Sequence, residues 1–312
     1  MIRPVTLCIA LVVYLAGFGA VIGEPLKVVV ISDLNGSYGS ASYAPRISVA
    51  VRRIVELKPD LVISTGDMVA GQATPNLSEK RVRAMWRAFH ATVSDPLKEA
   101  GIPFVVTPGN HDASAYGGFE NERRIFEEEW SNRRPDLAFS KSGSFPFFYA
   151  FDLKGVRFIS LDATTLGALR GNQMDALAKL TKEKKTVVTF SHLPLWPVAI
   201  NREREIIGDP MLEELYKKTG VDLHLSGHHH AYYPAHKDGV LYVAQACLGS
   251  GARRLIGTSK RSANALTLVE IEDGNISISA LAAPDFRKEV PLSSLPKKIV
   301  SPWATLTRID LP

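Results

Sequence analysis

The chain has 312 residues, 46% of them hydrophobic and 22% charged, with a formal net charge of +5. That length and balance suit one large α/β domain or two small ones and exclude a disordered chain. The basic residues lie in mixed runs such as NERRIFEEEW and NREREI, which read as solvated helix faces, so the charge permits an anionic substrate but does not argue for nucleic acid.

The N-terminus departs from this average. Arg3 precedes an uncharged run over 5–22, small residues end that run at Ala16, Gly17, Gly19, Ala20 and Gly23, and the polar Glu24 follows. This predicts a signal peptide over 1–23, cleaved before Glu24. As a helix the run would span roughly 27 Å, so an uncleaved N-terminal anchor is the alternative. Either way the body is expected outside the cytoplasm, secreted or periplasmic, or membrane-anchored and facing out. A membrane enters only if the segment stays. Cys8 lies in it, which leaves Cys247 without an internal partner and reading as a small buried hydrophobe.

Further on, apolar runs at 26–31, 61–64, 104–107, 157–161, 186–190 and 221–225 predict strands. Helical patterns near 45–58, 78–93, 119–131, 171–183 and 210–218 separate them, which implies βαβ units and a largely parallel inner sheet. In the second helix Val82, Met85, Trp86, Phe89 and Val93 share one face, so Trp86 is a packing residue and His90 beside it has no claim to function. Runs at 241–244, 266–271 and 276–281 follow with little helix between them, and Asp273-Gly274 marks a hairpin, so these strands are expected to pair antiparallel and the sheets to be mixed. Prolines at 291, 296, 302 and 312 predict an irregular C-terminal extension over 291–312, leaving 24–290 as the folded domain.

The polar groups fall in a pattern on this map. Asp33 follows the first strand, Gly66-Asp67 the second, Gly109-Asn110-His111-Asp112 the third, His192 the fifth and Gly227-His228-His229-His230 the sixth. The carboxyl ends of parallel strands share one edge, where ligands bind, so residues far apart in sequence are aimed at one cleft. Asp, His and Asn suit borderline divalent ions such as Zn, Mn or Fe(II). So many ligands exceed the needs of one ion and point to two. Asn35-Gly36, just after Asp33, is also ordinary turn chemistry.

The set Asp33, Gly66-Asp67, Gly109-Asn110-His111-Asp112, His192 and Gly227-His228-x-His230 resembles the calcineurin-like metallophosphoesterase superfamily. The segment after Asp67 and the stretch FYAFDLKGVRFISLD…GNQ look most like its purple-acid-phosphatase-like or related secreted branch. The resemblance implies an α/β/β/α sandwich with two mixed β-sheets flanked by helices. It implies an extracytoplasmic hydrolase of a small phosphomonoester or phosphodiester, working by in-line attack of a hydroxide bridging two divalent ions (Mn, Fe or Zn). Asp67 would bridge the ions, Asp33 and His230 would bind the first, and Asn110, His192 and His228 the second. His111 would protonate the leaving group and Asp112 would fix its ring.

Two departures concern the first ion. The family's first motif is usually Asp-x-His, and here it is Asp33-Leu34-Asn35. Asn35 could offer its amide oxygen to the metal, contact a bound water or phosphate, or only shape the turn. Purple acid phosphatases carry a Tyr three residues after the bridging Asp, and here that residue is Ala70, which argues against a purple ferric site. The alternatives are a membrane-tethered lipid or nucleotide phosphodiesterase and a non-catalytic binding protein on the same scaffold. His111 and Asp112 count against the binder. Of the other histidines, His229 is expected to meet solvent or the metal surroundings, His224 to be packed in its strand, and His236 to be exposed or to rim the cleft.

Overall fold

A computed structural model describes residues 24–182, 185–249 and 251–312. The export or anchor segment expected at 1–23 lies outside them. Among the described residues no helix is long and apolar enough to cross a membrane.

The first half runs β1 (Leu26–Ile31), α1 (Pro45–Leu57), β2 (Leu61–Ser64), α2 (Glu79–Phe89), α3 (Asp95–Glu99), β3 (Phe104–Val106), α4 (Asn110–Ala113) and α5 (Glu120–Ser131). Next come β4 (Ala138–Ser144), β5 (Phe148–Leu153), β6 (Val156–Ser160), α6 (Gln173–Leu180), β7 (Thr186–Ser191), α7 (Pro210–Thr219), β8 (Leu223–Ser226), β9 (Tyr233–Lys237) and β10 (Val240–Ala244). The chain closes with β11 (Ala265–Glu272), β12 (Asn275–Ala282), β13 (Lys288–Glu289), β14 (Lys298–Val300) and β15 (Thr305–Arg308).

Two mixed sheets form. One has the order β13-β12-β11-β1-β2-β3, the other β14-β15-β9-β10-β8-β7-β6-β5-β4. Each holds a parallel centre, β1-β2-β3 in the first and β6-β7-β8-β10 in the second. The reason for four layers is written in β1. Its side chains alternate between faces, and both faces are apolar, so both must be covered. Val29 and Ile31 pack with Ile47 and Ile54 of α1 and Trp86 and Phe89 of α2. Val28 and Val30 pack with Phe158, Val188, Phe190 and Leu225 of the second sheet. The outer face of the second sheet packs Ile159 and Val187 against Leu177 of α6 and Leu212 and Tyr216 of α7. Helices, sheet, sheet and helices therefore stack as an α/β/β/α sandwich.

Three expectations are corrected. The run at 241–244 joins the second sheet, parallel to β8 and antiparallel to β9, and does not pair with the β11–β12 hairpin. The extension at 291–312 is not irregular throughout. Pro291, Pro296 and Pro302 fall outside β14 and β15, which add to the β9 edge and bury Ile299 and Leu306. Strands this short have no local signal and depend on the edge that receives them. Finally, β4, β5 and β9 have no counterpart among the predicted strands. AFSKSGS of β4 lacks an apolar face, and Pro234 interrupts β9.

Candidate metal centre

The two parallel centres end side by side, and the loops after β1, β2, β3, β7 and β8 meet there. The join is made by backbone and side chains together. Gly227 N–H donates to the His192 carbonyl at 2.9 Å, and Leu34 N–H to the Asp67 carbonyl at 2.8 Å. The turns are tight. Asp33, Asp67, His228 and His230 all have φ between 49° and 62°. Left-handed backbone is uncommon outside glycine and gathers where a site over-determines it. At Gly109 the next loop comes so close that an added Cβ would lie 2.1 Å from Asp67 N. Neither backbone has room to yield, so Gly109→Ala is expected to destabilise the fold by about 3 kcal/mol. Urea unfolding measures this, and a loss well under about 1 kcal/mol would contradict the close approach.

Four acceptor atoms converge on one point. His192 Nε2 lies 2.9 Å from Asn110 Oδ1, 3.3 Å from Asp67 Oδ2 and 3.2 Å from His228 Nδ1. The hydrogens of these groups are all occupied elsewhere. His192 Nδ1 donates to the Thr65 carbonyl at 2.8 Å. His228 Nε2 donates to Glu205 Oε2 at 2.8 Å, and Asn110 Nδ2 to Gln72 Oε1 at 2.6 Å. Each neutral ring therefore presents a lone pair inward, and lone pairs facing lone pairs call for a cation.

The second grouping repeats the pattern. His230 Nδ1 donates to the Gly251 carbonyl at 3.2 Å, and Nε2 faces Asp33 Oδ1 at 3.1 Å. Asp33 Oδ2 already accepts from Ser32 Oγ at 2.6 Å. Asp67, His192 and His228 form one set, and Asp33, Asp67 and His230 the other, with donor atoms of each set within 4.8 Å of one another. Asp67 is common to both. Without a cation His192 and His230, though not His228, would take up protons in its place. Burial opposes charge on His192 and His230, but Asp67 and Asp33 outweigh it, holding His192 up to about 9 and His230 up to about 10. The donor set thus fits two cations of the borderline class, one on each side of Asp67.

His111 stands at the rim of this centre. Its backbone N–H donates to Asp67 Oδ1 at 2.9 Å, its Nδ1 donates to the Gly71 carbonyl at 2.8 Å, and Nε2 is 3.9 Å from Asp67 Oδ2. The expected role of Asp112 is corrected here. The ring is fixed by Gly71, while Asp112 accepts from the backbone of Met68, Val69 and Gly109 and so shapes the Asp67 and Gly109 turns. Asn35 is buried in the loop after β1, with its backbone N–H on the Asp67 carbonyl at 3.2 Å.

The remaining histidines sort by contact. His224 is buried among Thr189, Ser191 and Tyr216, as its strand position predicts. His236 bonds the Leu311 carbonyl at 2.8 Å and plays no part in the cleft. His229 does not meet solvent. It is buried between Val198 N–H, from which Nδ1 accepts, and the Glu205 carbonyl, to which Nε2 donates at 3.0 Å. It thereby fixes the backbone of the residue that holds His228.

Glu205 is the main group that sequence reasoning misses, because NREREI looks like surface charge. Its carboxyl is partly buried, but the ring of His228 and the guanidinium of Arg202 hold it down to about 2. Carboxylates placed behind a ligand histidine set its tautomer and raise its basicity. Glu205→Ala is expected to weaken binding of the ion at His192 and His228 about 10–100-fold. Calorimetric titration of chelator-stripped protein reads this directly, and an unchanged affinity would remove Glu205 from the role.

A profile for calcineurin-like phosphoesterases matches residues 26–232. Purple acid phosphatase 18 of Arabidopsis thaliana is 28% identical over 156 residues, 47% of this chain and 34% of that protein. A protein of Arcobacter nitrofigilis named probable glycerophosphodiester phosphodiesterase GpdQ is 32% identical over 153 residues, 47% of this chain and 45% of that protein. Each match spans less than half of the relative's length. Among solved structures, purple acid phosphatase PPD1 of yellow lupin (Lupinus luteus) aligns with a TM-score of 0.65 at 15% identity, covering 83% of this chain and 52% of that one. That likeness is one of fold.

Proposed function

We propose that this chain, which belongs to the calcineurin-like phosphoesterase family, hydrolyses small phosphate esters with two divalent cations. The observation that carries the proposal is the convergence of inward lone pairs on both sides of Asp67. Asp33 and His230 would hold one cation and Asn110, His192 and His228 the other, with Asp67 shared. Asn35 stands where a further ligand of the first cation is expected, and an amide oxygen there would favour Mn over Zn. When bound, the cations would supply an activated water and charge stabilisation at phosphorus. His111, held through Nδ1–H, would in its doubly protonated form pass the Nε2 proton to the departing oxygen and be left as the neutral ring.

Export belongs to the same proposal and rests on the pattern of residues 1–23. Intact mass of the purified protein tests it, since a start near Glu24 matches cleavage and a full-length chain matches an anchor.

The activity is tested by metal content of protein purified without chelator, together with hydrolysis of a chromogenic monoester and diester under added Mn, Zn or Mg. About two ions per chain with chelator-sensitive turnover is the expected result. Absence of both metal and turnover under every addition would favour the binding protein over the hydrolase.

A further inference from the structure

Beside the metal centre lies a cavity of about 190 Å³, bounded by Asn110, His228, Leu193, Tyr116, Leu166 and Glu205 among others. Its lip is apolar. Six large hydrophobic side chains are exposed among the described residues; two of them, Tyr116 and Leu166, line this cavity, and a third, Tyr38, stands beside His111 at the rim of the metal centre. Tyr38 is 64% exposed with its ring centroid 5.3 Å from that of His111.

These rings are presented by fixed backbone. Gly39 N–H bonds the Ala70 carbonyl at 2.7 Å, which ties the Tyr38 turn to the loop following Asp67. Tyr116 Oη accepts from Leu166 N–H at 3.0 Å, which joins the two apolar side chains into one wall. Exposed apolar surface of this kind marks a recognition site when it is grouped.

The charge of the cavity narrows the ligand. Its lining holds the carboxylate of Glu205 and no Lys or Arg. Of the neighbouring cations, Arg202 is paired with Glu205, whereas Arg253 Nη1 donates to the His228 carbonyl at 2.6 Å and Arg170 Nη1 to the Ala115 carbonyl, so these two stand outside the lining, held by backbone. A second anionic group held inside the cavity would meet the Glu205 carboxylate and no cation of the lining. Resting on the phosphoesterase proposal, we infer that the substrate is a phosphate ester whose alcohol half is planar and carries no further negative charge. Its ring lies against Tyr116 and Leu166 or against Tyr38 as the ester oxygen faces His111.

Phosphonates test this because their C–P bond is not hydrolysed. Cation-loaded protein is titrated calorimetrically with benzylphosphonate, propylphosphonate and 4-carboxybenzylphosphonate. Benzylphosphonate is expected to bind about tenfold more tightly than propylphosphonate, by the usual strength of ring contacts, and more tightly than its carboxylated form. In a Tyr38→Ala/Tyr116→Ala protein the ring preference should fall towards one, while Tyr116→Phe, which keeps the face, should retain it. Equal binding of the benzyl and propyl compounds by the unaltered protein, or a preference that survives in the double variant, would overturn the inference. Turnover of phenyl phosphate by the same preparation separates the two proposals: a ring preference without any turnover upholds the planar-group inference and refutes the hydrolase.

Discussion

Asp67→Asn is expected to lower bound metal from about two ions to less than one and to reduce turnover on the order of 10³-fold. The carboxylate is the one group common to both donor sets. The substitution preserves shape, and the amide oxygen can still accept from the His111 backbone N–H that Asp67 Oδ1 now accepts from. What it removes is charge. Asp67 is held well below the usual carboxylate range despite its burial, chiefly by His192 and then His111. A neutral amide cannot offset two divalent ions at so buried a position. The same change has a metal-free readout. Burial alone would depress the His192 imidazole, and Asp67 is the main group that holds it up to about 9. In Asp67→Asn without metal, the His192 titration followed by NMR should therefore move down. Near-normal metal content and turnover would sink the proposal that Asp67 bridges.

His111→Ala should separate chemistry from binding. Turnover is expected to fall about 10²–10⁴-fold, the usual contribution of a positioned acid, with metal content unchanged. The ring belongs to neither donor set, and its tether is the Gly71 carbonyl rather than a metal ligand. Its backbone N–H, which Asp67 uses, survives the substitution. The side chain stands at the rim of the centre, 23% exposed, so its removal is expected to leave the fold intact. His111→Asn serves as a second variant, keeping a polar group without a titratable proton. Loss of metal in both variants would make His111 structural, and full turnover in both would remove it from proton transfer.

The site was legible to the extent that a strand end announces it. Asp33, Asp67, Asn110, His192 and His228 follow apolar runs that form strands whatever else happens, so chain order alone brings them to one edge. Glu205 was illegible for the opposite reason. It lies in a loop between β7 and α7, its neighbours are charged, and its meaning comes from His228, which joins it only in the folded chain. The family resemblance assigns Asp112 to the His111 ring, and the fold places it elsewhere. The short helix α4 instead turns its carboxyl inward to three backbone N–H groups, and the ring turns to Gly71.

The amino-acid order by itself determined the two-faced strands, the helices that cover them and the residue types gathered after each strand, because these follow from periodicity and local propensity. The tertiary structure decided which sheet each strand entered, since pairing depends on the edge a strand meets: β10 beside β8, and β14 and β15 on β9. It also decided the inward tautomers of His192, His228 and His230. Those depend on acceptors contributed by Thr65, Glu205 and Gly251, and a histidine's free lone pair is set by where its other nitrogen donates.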